Sequence, residues 1–297
     1  MDNQRKLILC LMIFALILSI SSCDDNSTQA EAYPPTRYED YIVTWSEANG
    51  LIAYFHSRLL DSDDPDSSGI YIINPDGTNK YLLYKSFRTY SLDWSNDGRF
   101  LVVNSGKAIV RISFPSGNAD TLTGIGEYWG TVWSPSGNSI AYTVRTVDSG
   151  GIYIMNVDNG VSRRAVPDCD FVDWPYPDSL LYLNVSGSGL FGAICMSDTA
   201  GIFGRVVLQA QDNIIETTPE PRMHIATRRV AFQAQLPSYP PSIWRVSGTR
   251  ALQLRTFAIC PSFSPDGNQI VFADIHENNG KLWIINWDGS GARQLTY

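Results

Sequence analysis

Residues 263–267 read Phe-Ser-Pro-Asp-Gly and are followed by the apolar run 270–272, Ile-Val-Phe. Three further stretches vary this phrase, each with an aromatic residue, a serine, a glycine-containing turn and an apolar run. They begin at Trp45, Trp94 and Trp133, and a weaker copy begins at Trp174. The pattern is typical of two β-strands joined by a tight turn. Its recurrence indicates a repeat architecture.

The spacing of the copies predicts their number. Successive copies from Trp45 to Trp174 begin 49, 39 and 41 residues apart, and Phe263 follows 89 residues later. Because that last interval is close to two periods, a copy without its aromatic residue is expected inside it. The run 229–232, Arg-Val-Ala-Phe, supplies its second strand, which places its turn near residues 224–228. The chain is therefore predicted to contain six units.

Each unit has a second half that predicts two more strands. Residues 70–77, 152–160 and 282–289 are apolar runs that end in Asp-Gly or Asn-Gly turns. Such turns tolerate a positive φ and commonly join antiparallel strands. Fourth strands follow at residues 80–84, 120–123 and 293–297. Four antiparallel strands in each of six units predict an all-β, six-bladed β-propeller over residues 38–297.

The first residues carry a separate signal. Arg5 and Lys6 precede an apolar run, residues 7–20, which is too short to span a bilayer as a helix of about 20 residues. A basic start, a short apolar core and small residues are typical of a secretory signal, predicted at residues 1–22. The following Cys23 completes Ile-Ser-Ser-Cys, which resembles the bacterial lipobox and implies lipidation there. The alternative is an ordinary cleaved signal that happens to contain Cys23.

A lipidated Cys23 would place the body in the cell envelope, on the periplasmic side of the inner or outer membrane. Stable anchoring needs more than one acyl chain, and the lipoprotein resemblance implies three. Residues 23–37 are polar, contain Pro34 and Pro35, and predict a flexible tether. The net charge of −8 argues against nucleic acid as a partner. Three cysteines remain in the body, and we expect them to be buried and free: Cys169, Cys195 and Cys260.

The repeated phrase, followed by Ile-Tyr-Ile-x-Asn-x-Asp-Gly and Leu-Thr, resembles the TolB-type WD40-like propeller repeat. The resemblance covers residues 38–297; it is strong in units one, three and six, moderate in two, weak in four and poor in five. It implies that the aromatic-Ser-Pro-Asp-Gly hairpin joins the first and second strands of a blade. Similar repeats occur in prolyl-oligopeptidase-like enzymes before a hydrolase domain. No such domain is expected here, because the sequence stops at Tyr297.

Catalytic patterns are scarce. No Gly-x-Ser-x-Gly elbow or phosphate loop is present, so no cofactor is predicted. His56 and His276 end equivalent strands, but a zinc site would need further ligands that the spacing does not offer. One acidic run is a weak candidate for Ca²⁺ binding, with a solvated loop as the alternative. It contains Asp61, Asp63, Asp64 and Asp66.

Function is expected on the loops that connect one blade to the next, because these rim one end of a propeller channel. Aromatic and arginine side chains are enriched in binding hot spots. The candidate partner-binding residues on these links are Arg88, Tyr90, Glu127, Tyr128, Trp129 and Asp170. For Tyr90 and Trp129 the alternative is packing between blades.

Two functions fit the sequence. The first is a monomeric, non-enzymatic, lipid-anchored scaffold that binds another envelope protein through one propeller face, as the TolB-type resemblance implies. The second is an enzyme or sugar-binding propeller, similar to metal-dependent lyases and lactonases, with its site at the channel mouth. The first is preferred, because no paired catalytic groups are evident.

Overall fold

A computed structural model describes residues 37–59, 68–105, 107–146, 148–184, 192–209, 221–234, 240–276 and 280–297. These residues form six four-stranded antiparallel sheets, which confirms the predicted six-bladed β-propeller. The propeller belongs to the compact unit Thr36–Tyr297. A search of the described residues for long apolar helices returns no segment able to cross a membrane. The predicted lipidation site at Cys23 and the candidate Ca²⁺ site at Asp61–Asp66 lie outside the described residues.

Each blade is built from four strands that are consecutive in sequence. Blade 1 contains β1 (Arg37–Trp45), β2 (Ile52–Leu59), β3 (Gly69–Ile73) and β4 (Tyr81–Lys85). Blade 2 contains β5 (Ser91–Trp94), β6 (Phe100–Asn104), β7 (Ile109–Ser113) and β8 (Ala119–Thr121). Blade 3 contains β9 (Tyr128–Trp133), β10 (Ser139–Val144), β11 (Gly151–Asn156) and β12 (Ser162–Pro167).

Blade 4 contains β13 (Cys169–Tyr176), β14 (Ser179–Asn184), β15 (Ile194–Asp198) and β16 (Phe203–Leu208). Blade 5 contains β17 (Pro221–His224), β18 (Arg229–Ala234), β19 (Ser242–Ser247) and β20 (Arg250–Thr256). Blade 6 contains β21 (Ala258–Phe263), β22 (Gln269–Asp274), β23 (Lys281–Asn286) and β24 (Arg293–Gln294). The turn predicted in unit five is confirmed, because β17 ends at His224 and β18 begins at Arg229.

The repeated aromatic residues occupy one equivalent position at the end of the first strand. Trp45, Trp94, Trp133 and Phe263 are buried, and each pairs with an apolar residue near the start of the second strand: Ile52, Leu101, Ile140 and Ile270. Each packs with side chains of the preceding blade, with Trp45 closing onto blade 6. In blade 5 this position belongs to Met223, which pairs with Val230. The absence of an aromatic residue in unit five is therefore confirmed.

The ring closes by packing blade 6 against blade 1. Within the described residues no strand pairs across this boundary. The closure depends on Asp40 of β1, whose backbone N–H donates to the carbonyl of Gly280 over 3.0 Å. The Asp40 carboxylate accepts from the Thr296 hydroxyl at 2.5 Å and contacts His56 Nδ1 at 2.5 Å. All three side chains are buried.

Aspartates in the turns have a structural role. Asp266 accepts bonds from the Ser264 hydroxyl at 2.6 Å and from the Asn268 backbone N–H at 3.0 Å. These bonds, that of Ser264 above all, lower the pKa of Asp266 to about 2. Asp76 and Asp288 likewise accept from Thr78 and Ser290, and their pKa values are lowered for the same reason. These carboxylates stabilise their own turns.

The three body cysteines are buried and none of them forms a disulfide bond, as expected. Cys169 and Cys195 lie on the first and third strands of blade 4, which are separated by β14. Burial raises the pKa of both thiols, that of Cys195 to about 11. Low thiolate content makes them poor nucleophiles at neutral pH.

Candidate functional site

Six residues occupy one equivalent position on the inner strands, and all but Val132 line the channel. On the inner strand of its blade, each of these residues directly precedes the position of the repeated aromatic. Because side chains alternate along a strand, these residues lie on the opposite face of the sheet from the aromatics. We call them the channel ring: Thr44, Asp93, Val132, Asp173, Arg222 and Ser262. The register supports their equivalence, because each pairs with an apolar residue of the adjacent strand: Ala53, Val102, Ala141, Leu181, Ala231 and Val271. The repeat thus places different chemistry at one geometric position.

Several ring residues tie neighbouring blades together. The backbone N–H of Trp133 donates to Asp93 Oδ2 at 2.8 Å, and that of Met223 donates to Asp173 Oδ2 at 2.7 Å. Across the ring closure, the backbone N–H of Trp45 donates to Ser262 Oγ at 3.0 Å. In each case the acceptor belongs to one blade and the donor to the next. These bonds fix the positions of the two carboxylates.

Arg222 lies between the two aspartates. Its Nη1 is 3.5 Å from Asp173 Oδ1 and 3.8 Å from Asp93 Oδ1. The side chains are 22% exposed for Arg222, 19% for Asp93 and 14% for Asp173, so solvent in the channel reaches all three. Burial raises the pKa of Asp93 to about 7, and the positive charge of Arg222 offsets part of this rise. Burial also raises the pKa of Asp173, and Arg222 offsets part of that rise as well.

On one side of the ring the channel is narrow because four inner strands bulge into it. In four blades, the residue that lies two positions before the channel-ring residue in the sequence has a positive φ angle. These angles are +51° (Ile42), +46° (Gly130), +49° (Phe171) and +53° (Cys260). The strand register shifts beside each of them. They line a cavity of only about 30 Å³, room for a few water molecules. A positive φ costs free energy for a residue other than glycine, so the constriction is strained.

On the other side the channel widens into a mouth at the hairpins between first and second strands. This cavity measures about 130 Å³. Five ring residues and the repeated aromatics line it, with Glu47 and Asn96 among the outer residues. Arg222 lines both cavities and therefore stands at their boundary.

A second cluster lies at the narrow end of the channel. The Arg145 guanidinium is 4.3 Å from the ring centre of Trp129 and 4.8 Å from that of Phe171, which are cation–π distances. Its Nε donates to Asp170 Oδ2 at 2.6 Å. Trp129 also contacts Tyr90 of the preceding blade, edge to face, with ring centres 5.1 Å apart. The cluster joins blades 2, 3 and 4.

The structure places the predicted rim residues in three environments. Arg88 and Glu127 are exposed, and Tyr90, Tyr128 and Trp129 are half-buried. Tyr128 stacks edge to face on Tyr142, with ring centres 5.5 Å apart. Asp170 is buried against Arg145, so it adds no exposed carboxylate to the rim.

Two exposed apolar side chains accompany these residues. Phe87 is 76% exposed on the link from β4 to β5, and Ile125 is 92% exposed on the link from β8 to β9. Asn104 of β6 bonds to both links: its carbonyl accepts from the Tyr90 backbone N–H at 2.9 Å, and its Nδ2 donates to the Tyr128 carbonyl. Asn104 therefore holds the two links in a fixed position relative to each other.

The histidines have structural partners. His224 bonds to Thr227 and to the carbonyl of Pro265, and His276 packs edge to face on Phe257. Over the described ranges, His, Cys, Asp and Glu side chains form no group of three or more that could hold a metal ion.

Sequence reasoning missed the channel ring and Arg145. Part of the ring could have been found by asking which residue precedes each repeated aromatic, since Asp93 and Asp173 then align. Arg222 precedes Met223, so this rule would not have found it. Arg145 follows the apolar run of unit three by one residue, and no repeat feature marks it.

Comparisons with known proteins agree with this architecture. No protein-family model matches the sequence, and no curated protein matches it. Among solved structures, TolB from Acinetobacter baumannii superposes with a TM-score of 0.63 at 15% identity, covering 93% of this chain and 86% of that protein. A putative TolB from Agrobacterium tumefaciens gives 0.63 at 18% identity, covering 76% and 87%.

An oligogalacturonate lyase in complex with manganese gives a TM-score of 0.55 at 12% identity, covering 92% of this chain and 83% of the lyase. The structural neighbours therefore include TolB proteins, and the resemblance seen in the repeats extends to three dimensions. At these identities the likeness shows the fold alone.

Proposed function

We propose that this chain is a non-enzymatic, lipid-anchored scaffold of the bacterial cell envelope that binds another protein through one rim of its propeller. The observation that carries this proposal is the exposed surface on the two links that flank blade 2. We call it the blade 2 rim: Phe87, Arg88, Ile125 and Glu127. The TolB fold supports an interaction role of this kind.

The chemistry of the rim fits protein recognition. Large apolar side chains that are exposed beside charged ones are typical of binding surfaces, and aromatic and arginine residues are enriched among hot spots. The Asn104 bonds and the contact between Tyr90 and Trp129 hold the two links in place. A pre-ordered surface loses less conformational entropy on binding, which favours affinity.

The test is crosslinking in cells with a photoreactive residue at Ile125, followed by membrane isolation. We expect one defined partner protein, and we expect Phe87→Ala or Arg88→Ala to reduce its capture, because hot-spot truncations cost about 2 kcal/mol or more. The melting temperature should barely change, since surface substitutions are usually within about 0.5 kcal/mol.

Phe203→Ala is the matched control, because Phe203 is also an exposed phenylalanine but lies on the outer strand β16. Capture that falls equally in Phe203→Ala, or that survives both rim substitutions, would show that the blade 2 rim is not the binding surface.

The proposed anchor is Cys23, with residues 1–22 as the signal and residues 23–37 as the tether. Cys23→Ser should release the protein from washed membranes, because no other apolar segment of the tether could hold it. A mutant that stays in the membrane fraction after signal removal would refute lipidation. Asp24 resembles the inner-membrane retention signal of enteric bacteria, but other lineages sort lipoproteins differently, so the inner and the outer membrane are both alternatives.

The channel ring favours a second candidate, an enzyme or sugar-binding propeller. Asp93 has a pKa of about 7, which suits a general acid or base, and it lies beside Asp173 and Arg222. The similarity in fold to an oligogalacturonate lyase supports the same alternative. Cleavage of a glycan or lactone by the wild-type protein, abolished by a chelator or by Asp93→Asn, would establish it over the scaffold.

A further inference from the structure

We propose that the wide mouth of the channel binds the cationic group of an organic ligand, an ammonium or guanidinium on a short apolar stem, between Asp93 and Asp173. The site lies on the side of the channel ring away from the constriction. It is separate from the blade 2 rim, so it does not rest on the proposed scaffold function.

The two carboxylates are held in place before any ligand arrives. Each has one oxygen fixed by a backbone N–H of the next blade, at 2.8 Å for Asp93 and 2.7 Å for Asp173. The other oxygen of each faces the channel, where Arg222 Nη1 stands 3.8 Å and 3.5 Å away. Arg222 also makes a side-chain hydrogen bond to Asp173, and Thr44 makes one to Asp93. Because an ionised carboxylate has about four acceptor positions, a ligand cation could bind beside Arg222 without displacing it.

The charges of the mouth favour a cation. Among the described residues that line it, Asp93, Asp173 and Glu47 are acidic and Arg222 is the cationic side chain. Two ring carboxylates thus share one guanidinium, which leaves an excess negative charge when both are ionised. A positive ligand would compensate this charge in a partly desolvated channel, where the interaction is stronger than in water.

The walls favour an organic cation over a metal ion. Four tryptophans and Phe263 line the mouth, and aromatic rings attract organic cations and shelter apolar stems. Hard cations such as Ca²⁺ need six or more oxygen ligands, and the described residues contain no group of three or more His, Cys, Asp or Glu side chains that could hold a metal ion. The volume of about 130 Å³ accommodates several non-hydrogen atoms. The small cavity at Ile42, Gly130, Phe171 and Cys260 is too small for the ligand, which favours entry through the mouth.

Protonation should control binding. Asp93 faces Arg222 from β17, Asp173 from β13 and Thr44 from β1, while its other oxygen accepts from Trp133 of β9. Burial raises its pKa to about 7, so the carboxylate is mostly protonated at pH 6 and mostly ionised at pH 8. Because the ionised form attracts a cation, affinity should rise by up to about tenfold over that interval.

The experiment is isothermal titration calorimetry of the full-length protein with n-butylammonium at pH 6 and pH 8. Butyrate, an anion of similar size, is the ligand control. A second arm uses N-acetyl-lysine methylamide, which presents the same group as a peptide side chain. Binding of butylammonium assigns the site to small free cations, and binding of the lysine compound alone assigns it to a side chain of a partner.

In either arm we expect Asp93→Asn and Asp173→Asn to weaken binding by about tenfold or more, because each loses a charge-assisted contact. Asp93→Asn should also lose most of the pH dependence. Asp178→Asn, which removes an exposed carboxylate on the hairpin of blade 4, and Phe87→Ala, on the rim, should bind like the wild type. Far-ultraviolet circular dichroism verifies that each variant is folded.

The absence of heat with both cationic compounds would overturn the proposal. Equal affinity in the wild type and in both folded ring variants would overturn it as well, and so would binding of butyrate as tight as that of butylammonium. Loss of cation binding would leave partner capture at the blade 2 rim untouched, so failure of one proposal is distinguishable from failure of the other.

Discussion

Replacing Asp93 by asparagine should make the stability of the protein less sensitive to pH. The pKa of Asp93 is about 7 in the folded protein, whereas an aspartate in an unfolded chain has a pKa of about 3.9. Because the folded state holds the proton more tightly, the stability linked to Asp93 is fully present below about pH 4. It is lost as the pH rises through about 7.

The size of this effect follows from the shift. A shift of about three pKa units corresponds to about 4 kcal/mol, which is a ceiling because the side chain is 19% exposed and channel water screens its charge. Asparagine has nearly the same shape and keeps an oxygen for the Trp133 N–H, but it does not titrate. The free energy of unfolding of Asp93→Asn relative to wild type should therefore rise by about 2–4 kcal/mol between pH 4 and pH 8.

Urea denaturation of the full-length protein, followed by tryptophan fluorescence, measures this difference at several pH values. Asp173 and the other titrating groups are common to both proteins, so the difference isolates Asp93 to first order. Asp178→Asn controls for the loss of a negative charge outside the channel. A constant difference between Asp93→Asn and wild type across this range would refute the assignment of a raised pKa to the channel ring.

Three further substitutions test the scaffold by chemical denaturation. Trp133→Ala should lower the free energy of unfolding by about 3–5 kcal/mol through the cavity it leaves between blades 2 and 3, and a loss below 1 kcal/mol would contradict close packing there. Thr296→Val removes the hydroxyl that donates to the buried aspartate at the ring closure, and should cost about 2 kcal/mol; an unchanged midpoint would show that this bond does not hold the ring. Gly267→Ala should cost more than Gly137→Ala. Both glycines have a positive φ, so either substitution should cost about 1–2 kcal/mol in backbone strain. Only at Gly267 would the new Cβ also collide with a side chain, that of His224 at 2.3 Å. Equal losses of stability in the two variants would contradict that packing.

The repeat phrase was enough to predict the blades, because an aromatic residue at a hairpin and an alternating apolar run constrain local structure strongly. Even the divergent blade 5 was placed correctly, since the spacing of its neighbours required it. Met223 fills the aromatic position there, and no composition rule would have selected it.

The chemistry of the channel was harder to predict, because it depends on residues distant in sequence that the ring brings to one level. Asp93, Asp173 and Arg222 come from three blades, and none belongs to a recognisable short motif. On the rim, residue type alone was misleading. Asp170 is a charged residue on a link between blades and was predicted to bind a partner, but it is buried against Arg145, which lies 25 positions earlier in the sequence.

Because every blade is continuous in sequence and no described strand crosses a blade boundary, the point at which the chain enters the ring is topologically arbitrary. The boundary between blades 6 and 1 is held by side-chain and backbone contacts around Asp40, as the other boundaries are held by their own contacts. A circular permutant that joins Tyr297 to residue 37 and opens between β8 and β9 would keep all six sheets intact. In such a permutant the proposed tether could be attached beside any chosen blade without altering a single strand pairing.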